Sequence, residues 1–417
     1  MDMRPVLVRK AINRSRKAAA DTRARLLPTA YSGMRLTPKR LLNYWRSRYE
    51  MWRGVERVRA RPLVLTVEAT NVCNLRCPQC FTGVGELGRE KSMLHVEDFR
   101  RLLDELGDYL LKVEFYNWGE PLLNKQLPQM IRLAADKGIA TVISTNLSFP
   151  MTDERAEEIV RSGLHVIGLS ADGATQGVYE QYRVRGDLAL VLANVDRLNA
   201  AKRRLGSATP RIVYSYHLFA HNTHEVDSAR ALAREHEMEF SLMKGWVAGA
   251  DWDTEGRYNF GFHPSVGRCF YLWQQGVVHN DSGVAPCCAT FYKEDDFAEL
   301  GAASGDTRQS FRDAWNNDAF RAARRMFADD PAHDRRDLVC YDCPVTRIWR
   351  DYREHVRAGR PASAFEVHAA YNDGWNYFFA RRPSRAKPLE LIPLVPVNAN
   401  RDLAGKAAAQ ADMSDAV

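Results

Sequence analysis

The sequence lacks the features of a secreted or membrane-spanning protein. Its 417 residues contain no uninterrupted apolar run of about 18 residues, the length that a transmembrane helix needs. The N-terminal segment is basic and has no continuous apolar stretch of the kind found in a secretory signal. The apolar segment 389–397 is short, and Pro393 and Pro396 interrupt it. We therefore expect a cytoplasmic protein in a reducing compartment.

A disulfide framework is also lacking, because the eight cysteines are grouped in motifs rather than scattered in pairs. In a chain of this length, such grouping favours metal binding. Cys73, Cys77 and Cys80 form the spacing C-x3-C-x2-C and supply three thiolates. A structural zinc ion takes four ligands, whereas a 4Fe–4S cluster on three thiolates leaves one iron open to a substrate or cofactor. The motif alone indicates a cluster, with zinc as the alternative.

Positive charge is concentrated in the first part of the chain. Residues 1–62 contain 17 Lys and Arg but 4 Asp and Glu, while the net charge of the whole chain is +7. Within this part, apolar residues recur at helical spacing between arginines, namely Leu41, Leu42, Trp45, Tyr49 and Trp52. We expect a helix that packs on the next domain and has a solvated basic face. Contact with a membrane surface is the alternative, and no nucleic acid partner is expected.

Strand and helix patterns alternate between residues 63 and 260. Six segments have the composition of strands: 63–68, 112–116, 140–144, 165–170, 211–217 and 238–243. Amphipathic helical segments separate them, for example 96–106, 127–137, 152–162, 188–202 and 225–236. This alternation predicts an α/β fold with parallel strands and crossover helices, too few for a closed eightfold barrel. The chemistry of such folds lies at the carboxyl ends of the strands.

Polar motifs follow the predicted strands at those ends. The cysteine loop follows the first strand, and Gly119 and Glu120 follow the second. The third strand leads into Ser144, Thr145 and Asn146, and the fourth into Ser170, Asp172 and Arg183. His217 ends the fifth strand and is a candidate proton acceptor. We interpret these groups as parts of one site.

Together these motifs resemble the radical S-adenosylmethionine (SAM) superfamily. The resemblance implies a partial (β/α)6 barrel and a 4Fe–4S cluster on the three cysteines, whose open iron binds the amino and carboxylate groups of SAM. It also implies SAM contacts from Gly119, Glu120, Ser144, Thr145, Asn146, Ser170 and Arg183. In this family a 5′-deoxyadenosyl radical takes a hydrogen atom from the substrate. Two positions depart from the family pattern: Gln79 replaces the aromatic residue before the third cysteine, and Trp118 replaces the first of two glycines.

A second group of cysteines lies in the C-terminal part. Cys269, Cys287, Cys340 and Cys343 supply four thiolates, which would saturate a 4Fe–4S cluster. The arrangement resembles the shortened SPASM domain called Twitch and implies an auxiliary 4Fe–4S cluster that carries electrons. Cys288 competes with Cys287, which the preceding V-x-P element favours. A four-cysteine zinc site is the alternative.

These expectations divide the chain into five regions: a basic helical arm at 1–62, a radical SAM core at 63–260, a SPASM/Twitch domain at 261–345, an extension at 346–397 and a disordered tail at 398–417. The resemblance implies an oxidoreductase that oxidises a secondary alcohol or amine on a sugar, aminocyclitol or polysaccharide precursor by two electrons. An external donor such as flavodoxin or ferredoxin would supply electrons. One alternative is a radical SAM maturase of a ribosomal precursor peptide. Another is a non-enzymatic zinc-binding interaction protein.

Overall fold

A computed structural model describes residues 33–245, 267–301, 309–328, 335–362 and 365. The predicted boundary at 260/261, the apolar segment 389–397 and the tail 398–417 lie outside the described residues, as do the first 32 residues of the basic arm. No helix within the described ranges is long and apolar enough to cross a membrane.

Six strands alternate with helices in the first part of the chain, as the sequence predicts. These strands are β1 (Val64–Val67), β2 (Lys112–Phe115), β3 (Ala140–Thr145), β4 (Val166–Ser170), β5 (Arg211–Leu218) and β6 (Glu239–Lys244). Three further strands follow, which are β7 (Gln275–Val278), β8 (Gly283–Ala285) and β9 (Ala298–Glu299). The predicted bounds of the first six strands agree with the observed ones to within one residue at every end.

All nine strands of the described ranges belong to one sheet with the order β6-β5-β4-β3-β2-β1-β7-β8-β9. Strands β1 to β6 are parallel to their neighbours; Val64 pairs with Lys112 and Val142 with Val166. The predicted partial barrel with parallel strands is therefore confirmed. The sequence did not predict that β7 continues the sheet, parallel to β1 with Val64 opposite Gln275. An open sheet has unpaired backbone groups at its edge, and the C-terminal strands cover them at β1.

Helices connect and cover the strands. They are α1 (Pro38–Arg53), α2 (Phe81–Val84), α3 (Val96–Leu106), α4 (Leu127–Asp136), α5 (Asp153–Arg161), α6 (Gln176–Tyr182), α7 (Leu188–Leu205), α8 (Val226–Glu235), α9 (Tyr271–Gln274), α10 (Phe311–Ala314), α11 (Asp318–Arg325) and α12 (Pro344–Arg357). Helix α3 shows how they pack: Phe99, Leu102, Leu103 and Leu106 recur on one side and are buried. They meet fully buried strand residues such as Val113. Apolar packing between helices and sheet therefore stabilises the barrel. The polar motifs lie at the ends of the strands, outside this packing.

Helix α1 packs on the barrel as predicted, but through polar residues. Arg40, Asn43, Ser47 and Glu50 are buried, together with Tyr44. The solvated side is not only basic, because it also carries exposed apolar residues, namely Leu42, Trp45, Tyr49 and Trp52. Residues on both sides of the helix recur at the same spacing, so the spacing could not predict which side packs against the sheet.

Candidate active site

The first three cysteines lie on the loop that follows β1. The Cys80 backbone N–H donates to the Cys77 carbonyl at 3.1 Å, which closes a tight turn. Gly83 supports this turn, since a Cβ atom there would lie 2.3 Å from the same carbonyl oxygen. All three cysteines pack into a small cluster with Leu75, Tyr182 and Phe219. The turn thus brings three thiols into one pocket.

The pocket disfavours the thiolate form until a positive charge is present. Burial raises the pKa of Cys73 to about 11 and that of Cys77 to about 12, and the neighbouring thiols raise both further. The guanidinium of Arg183 acts in the opposite direction on both thiols. Metal ligation requires the thiolate, so a cationic ligand and Arg183 would favour the same state.

The donor set fits an iron–sulfur cluster better than a single ion. Within the described part of the chain, no three His, Cys, Asp or Glu side chains converge to hold one metal ion. A zinc site needs its sulfurs about 2.3 Å from a common point. A cluster spreads its cysteine ligands over several irons, and three thiols in one apolar pocket leave one iron open. Cys73, Cys77 and Cys80 are the residues that could hold it.

Gly119 lets the loop after β2 lie directly against the cysteine loop. A Cβ atom at this position would be 2.0 Å from the carbonyl oxygen of Thr70. The neighbouring Glu120 N–H donates to the Val72 carbonyl at 2.8 Å. The close approach that requires a glycine is therefore to the protein's own backbone. A direct contact between Gly119 and SAM stays a prediction.

Glu120 is buried and ties the ends of β2 and β3 together. Its carboxylate accepts hydrogen bonds from the Thr145 hydroxyl at 2.7 Å, the Asn146 N–H at 2.7 Å and the Leu122 N–H at 3.1 Å. Burial raises the pKa of this carboxyl to about 7, against the lowering effect of these hydrogen bonds and of Arg183. An ionised carboxylate offers roughly four acceptor positions, so one is left for a cationic ligand.

The ends of β3 and β4 complete the polar rim. The hydroxyl oxygens of Ser144 and Ser170 lie 3.1 Å apart, and either can donate. The Asn146 amide nitrogen is 3.1 Å from the Asn74 side-chain oxygen and 3.8 Å from the Cys73 sulfur. Asn146 therefore contacts the cysteine loop, and Ser144 and Ser170 contact each other. Their contacts with SAM stay predictions.

Arg183 binds a carboxylate of this chain. Its guanidinium contacts the fully buried Asp172 at 2.7 Å through Nε and at 2.6 Å through Nη2. Its Nη1 lies 3.8 Å from the Cys77 sulfur. His217 joins the group, with Nδ1 3.0 Å from Asp172 Oδ1. Burial alone would raise the pKa of Asp172, but Arg183 and His217 lower it to about 2.

The cysteines of the second group also lie near one another, at a partly buried place. Cys269 precedes α9, Cys287 follows β8, and Cys340 and Cys343 precede α12. Burial raises the pKa of Cys287 well above its usual value, and the neighbouring thiols of Cys288, Cys343, Cys340 and Cys269 raise it further. The Cys288 sulfur instead lies 2.9 Å from the Tyr271 hydroxyl. This contact favours Cys287 as the cluster ligand.

An aromatic cluster that the sequence did not predict joins the two cysteine regions. The ring of Phe81, next to Cys80, stacks on that of Phe291 with a centroid distance of 3.6 Å. Trp118 packs edge-on against both rings at 5.5 Å. Both phenylalanines lie a few residues after a cysteine, and this proximity was the only sequence feature that marked them.

A buried ionic network also connects the two parts. Arg89 contacts Asp281 at 3.0 Å and Asp296 at 2.5 Å, and its side chain is fully buried. His279 Nδ1 lies 3.2 Å from the carboxylate of Glu68, at the carboxyl end of β1. Sequence reasoning missed these residues because their partners are about 200 positions away. The network fixes β7 and β8 against the cysteine loop.

Two family models match the chain. The model described as radical SAM superfamily matches residues 67–224, and the SPASM iron-sulfur cluster-binding domain matches residues 269–344. The chain belongs to the radical SAM superfamily. Its SPASM region contains all four cysteines of the second group, and its radical SAM region contains the first three. The number of clusters in the SPASM region stays a prediction.

Known relatives of this radical SAM protein match it over part of their length. The Fe-coproporphyrin III synthase of Methanosarcina barkeri is 33% identical over 26% of this chain and 27% of its own. The PqqA peptide cyclase of Bradyrhizobium diazoefficiens is 30% identical over 29% and 31%, respectively. The mycofactocin maturase MftC of Mycobacterium ulcerans is 28% identical over 51% and 54%. The chain thus spans less than a third of the first two relatives and about half of the third.

Among solved structures, SuiB of Streptococcus suis bound to S-adenosylmethionine superposes with a TM-score of 0.49. The superposition covers 69% of this chain and 72% of SuiB, at 16% sequence identity.

Proposed function

We propose that this protein is a radical SAM iron–sulfur oxidoreductase that removes two electrons from a secondary alcohol or amine. The proposed substrate is a sugar, an aminocyclitol or a polysaccharide precursor. The observation that carries the proposal is the Asp172–His217 pair, with 3.0 Å between Oδ1 and Nδ1, at the end of the strands that hold the site. Such a pair is suited to accept a proton from a substrate hydroxyl or amine.

Residues of both cysteine groups would hold the cofactors. Cys73, Cys77 and Cys80 would bind one 4Fe–4S cluster, and Cys269, Cys287, Cys340 and Cys343 a second. When bound, the first cluster and SAM supply a 5′-deoxyadenosyl radical for hydrogen abstraction, and the second cluster supplies an electron acceptor. Glu120 retains an acceptor position for the ammonium group of SAM, and the Ser144 and Ser170 hydroxyls, 3.1 Å apart, offer further polar groups at the ends of β3 and β4.

In this proposal, the protein's own side chains accept the proton that the substrate loses during oxidation. Oxidation of a secondary alcohol to a ketone removes a hydrogen atom from carbon, a proton from oxygen and one electron, for which the second cluster would be the acceptor. Asp172 faces Nδ1 of His217, which favours the tautomer that has a proton on Nδ1. Nε2 is then the acceptor for the substrate proton. Asp172 also accepts the His217 backbone N–H at 2.8 Å, which fixes the position of the residue.

A second candidate is maturation of a ribosomal peptide. Two of the matching relatives are named PqqA peptide cyclase and mycofactocin maturase. This function would use the same cofactor residues and a longer substrate. We favour the small polar substrate because the order of the motifs, including the segment that carries Asp172 and Arg183, resembles enzymes of sugar and aminocyclitol chemistry.

The test is an anaerobic purification with cluster reconstitution, followed by incubation with SAM and dithionite. We expect about eight irons per chain, matching sulfide, and formation of 5′-deoxyadenosine. Product would then be sought by mass spectrometry with aminocyclitols and nucleotide sugars in one set and candidate precursor peptides in another. A mass loss of two hydrogens on the first set supports the proposal, and a modified peptide alone supports the maturase.

A variant of the first cysteine group tests the cofactor site itself. Cys77→Ala should abolish 5′-deoxyadenosine formation, because three thiolates are needed to hold the first cluster with an open iron. Retained cleavage of SAM in this variant would contradict the site. Bound zinc without any cleavage would favour the non-enzymatic interaction protein.

A further inference from the structure

Helix α1 has an apolar side that nothing in the described structure covers. Leu42, Trp45, Tyr49 and Trp52 follow each other at steps of three and four residues, which places them on one side of a helix. Their exposed fractions are 59%, 51%, 58% and 69%, respectively. The ring centroids of Tyr49 and Trp52 are 6.1 Å apart, so these two side chains form a continuous patch. A contiguous exposed apolar patch of this kind marks an interaction site.

Buried polar residues fix the helix in this orientation. The Arg40 guanidinium donates to four carbonyl oxygens, those of Arg35 at 2.6 Å, Gly138 at 2.7 Å, Lys137 at 2.9 Å and Gly107 at 3.0 Å. Glu50 accepts the N–H groups of Arg59 and Ala60, both at 3.0 Å. Rotation of the helix to bury its aromatic residues would break these bonds. The outward position of the aromatic side is therefore built into the fold.

A basic cavity adjoins this apolar side. It has a volume of about 730 Å³, and six cationic side chains line it: Lys39, Arg46, Arg57, Arg59, Arg61 and Arg312. Leu42 also lines it, so the cavity and the aromatic side share a border. Asp313 is the one carboxylate in its lining, and Lys39 contacts Asp108 at 2.7 Å. Among the described residues, the five arginines form no ion pair with a carboxylate, which leaves a strongly positive surface.

This surface lies on the opposite end of the barrel from the cysteine loop. Asn43 bonds to the backbone of Arg61, which precedes β1, and Ser47 bonds to the carbonyl of Trp273, which precedes β7. The surface is thus at the amino ends of the strands, whereas the cysteines follow the carboxyl end of β1. A partner that binds here leaves the active site open.

We propose that this surface docks on an anionic lipid bilayer. The docking surface consists of Leu42, Trp45, Tyr49 and Trp52 together with the basic cavity. Tryptophan and tyrosine are enriched at the level of lipid headgroups, where an apolar ring and a polar edge are both satisfied. The cavity would hold headgroup phosphates, and each arginine near an anionic membrane contributes to binding. Apolar residues beside a basic surface are the features of a helix that lies in the membrane interface.

The positive charge of the surface favours an anionic bilayer over a second copy of the chain as the partner. Two copies that met through this side would bring two arginine clusters together, which repel each other. A bilayer with anionic lipids instead supplies both an apolar layer and opposite charge. The proposal is independent of the proposed reaction, because none of these residues belongs to the active site.

The test is cosedimentation of the full-length holoprotein with vesicles. One set would consist of phosphatidylcholine alone, and the other would contain about one third phosphatidylglycerol. We expect binding to the anionic set, weaker binding to the neutral set by more than about tenfold, and loss of binding in high salt. Equal binding to both sets, or none to either, would overturn the proposal.

Variants locate the contact. Trp45→Ser with Trp52→Ser, and separately Arg57→Glu with Arg59→Glu, should each lower the partition coefficient by more than about tenfold. All four side chains are exposed, so these changes leave the core intact. The matched control reverses two exposed arginines elsewhere, Arg132→Glu in α4 and Arg234→Glu in α8, and should lower binding far less. Equal loss in the control would show a nonspecific charge effect and overturn the proposal.

Two further measurements distinguish a bilayer from a second copy of the chain as the partner. Brominated lipids should quench tryptophan fluorescence in the wild type and much less in the Trp45→Ser/Trp52→Ser variant. Light scattering without vesicles should give the same mass for both proteins. A dimer that dissociates in the tryptophan variant would identify a second copy as the partner and reject the membrane. The rate of SAM cleavage in solution should be the same in all variants.

Discussion

Arg183 lies between Asp172 and the Cys77 thiol, with Nη2 2.6 Å from the carboxylate and Nη1 3.8 Å from the sulfur. One guanidinium therefore compensates a buried carboxylate and faces a ligand of the proposed cluster. His217 occupies the other oxygen of the same carboxylate. The three residues couple the stability of the barrel to the electrostatics of the site.

Removal of Arg183 should destabilise the barrel. Arg183→Met leaves Asp172 buried with His217 as its remaining partner, and we expect a loss of roughly 3 kcal/mol in the free energy of unfolding. Adding Asp172→Asn to the Arg183→Met protein should restore part of the lost free energy of unfolding. Because the pKa of Asp172 falls to about 2 on folding, its stabilisation is complete above the usual value of 3.8 and is lost as the pH falls toward 2. Urea unfolding of the wild type, Arg183→Met, Asp172→Asn and the double variant measures this, and additive effects would contradict the pairing.

Replacement of His217 should separate SAM cleavage from product formation. His217→Gln removes the proposed proton acceptor, and product formation should fall by about 10²–10⁴-fold, while 5′-deoxyadenosine is still made without substrate. The matched control is His224→Gln, an exposed residue on the same segment, which should leave both rates unchanged. Product formation at the wild-type rate in His217→Gln would assign the proton to another group.

Binding of SAM should depend on pH through Glu120. Burial raises the pKa of this carboxyl to about 7, so the ionised fraction rises as the pH rises through that value. If the ionised form accepts the ammonium group, the dissociation constant of SAM should increase by up to about tenfold for each pH unit below 7. Calorimetry from slightly acidic to slightly alkaline pH would measure it. Glu120→Gln should remove that part of the dependence, and an unchanged profile would reject the role.

The two adjacent cysteines should behave differently. Cys287→Ala should lower the iron content and impair product formation while SAM is still cleaved at the first cluster. Cys288→Ala removes a contact with Tyr271 and should retain iron and product formation. Iron analysis and product yield of both variants decide the assignment. The opposite pattern would make Cys288 the ligand.

Gly119 should not tolerate a side chain. Gly119→Ala places a methyl group 2.0 Å from the Thr70 carbonyl, so the cysteine loop must move, and we expect a cost of about 1–3 kcal/mol with weaker cluster binding. The control is Gly177→Ala in α6, where nothing lies within 4 Å of the added atom. That change should stabilise the protein by about 0.5–1 kcal/mol, because alanine favours a helix. Thermal unfolding and iron content compare the two.

The alternation of strands and helices could be predicted because it is written in local spacing. The predicted helix at 96–106 has the same bounds as α3, and the predicted strand at 112–116 ends one residue beyond β2. The order of polar motifs at the strand ends follows from the same periodicity, since parallel strands bring their carboxyl ends to one edge. Predictions for the first 32 residues and the tail lie outside the described part.

Contacts between distant residues could not be predicted in this way. The pairing of Leu65 with Gly276, which joins β7 to the barrel, depends on two segments about 200 positions apart. The resemblance implied that Arg183 contacts SAM, and the structure pairs its guanidinium with Asp172. The backbone at Gly119 lies close to the Thr70 carbonyl, and the sequence around Gly119 does not predict this contact.

The sequence by itself determined the family, the cysteine groups and the six β–α units, because each is a matter of residue type and short-range spacing. Only the tertiary structure decided which side of α1 faces solvent, which carboxylate pairs with Arg183, and how the C-terminal strands complete the sheet. These depend on packing and on the satisfaction of buried polar groups. Arg40 shows the difference, since its four carbonyl partners become neighbours only when the barrel is folded.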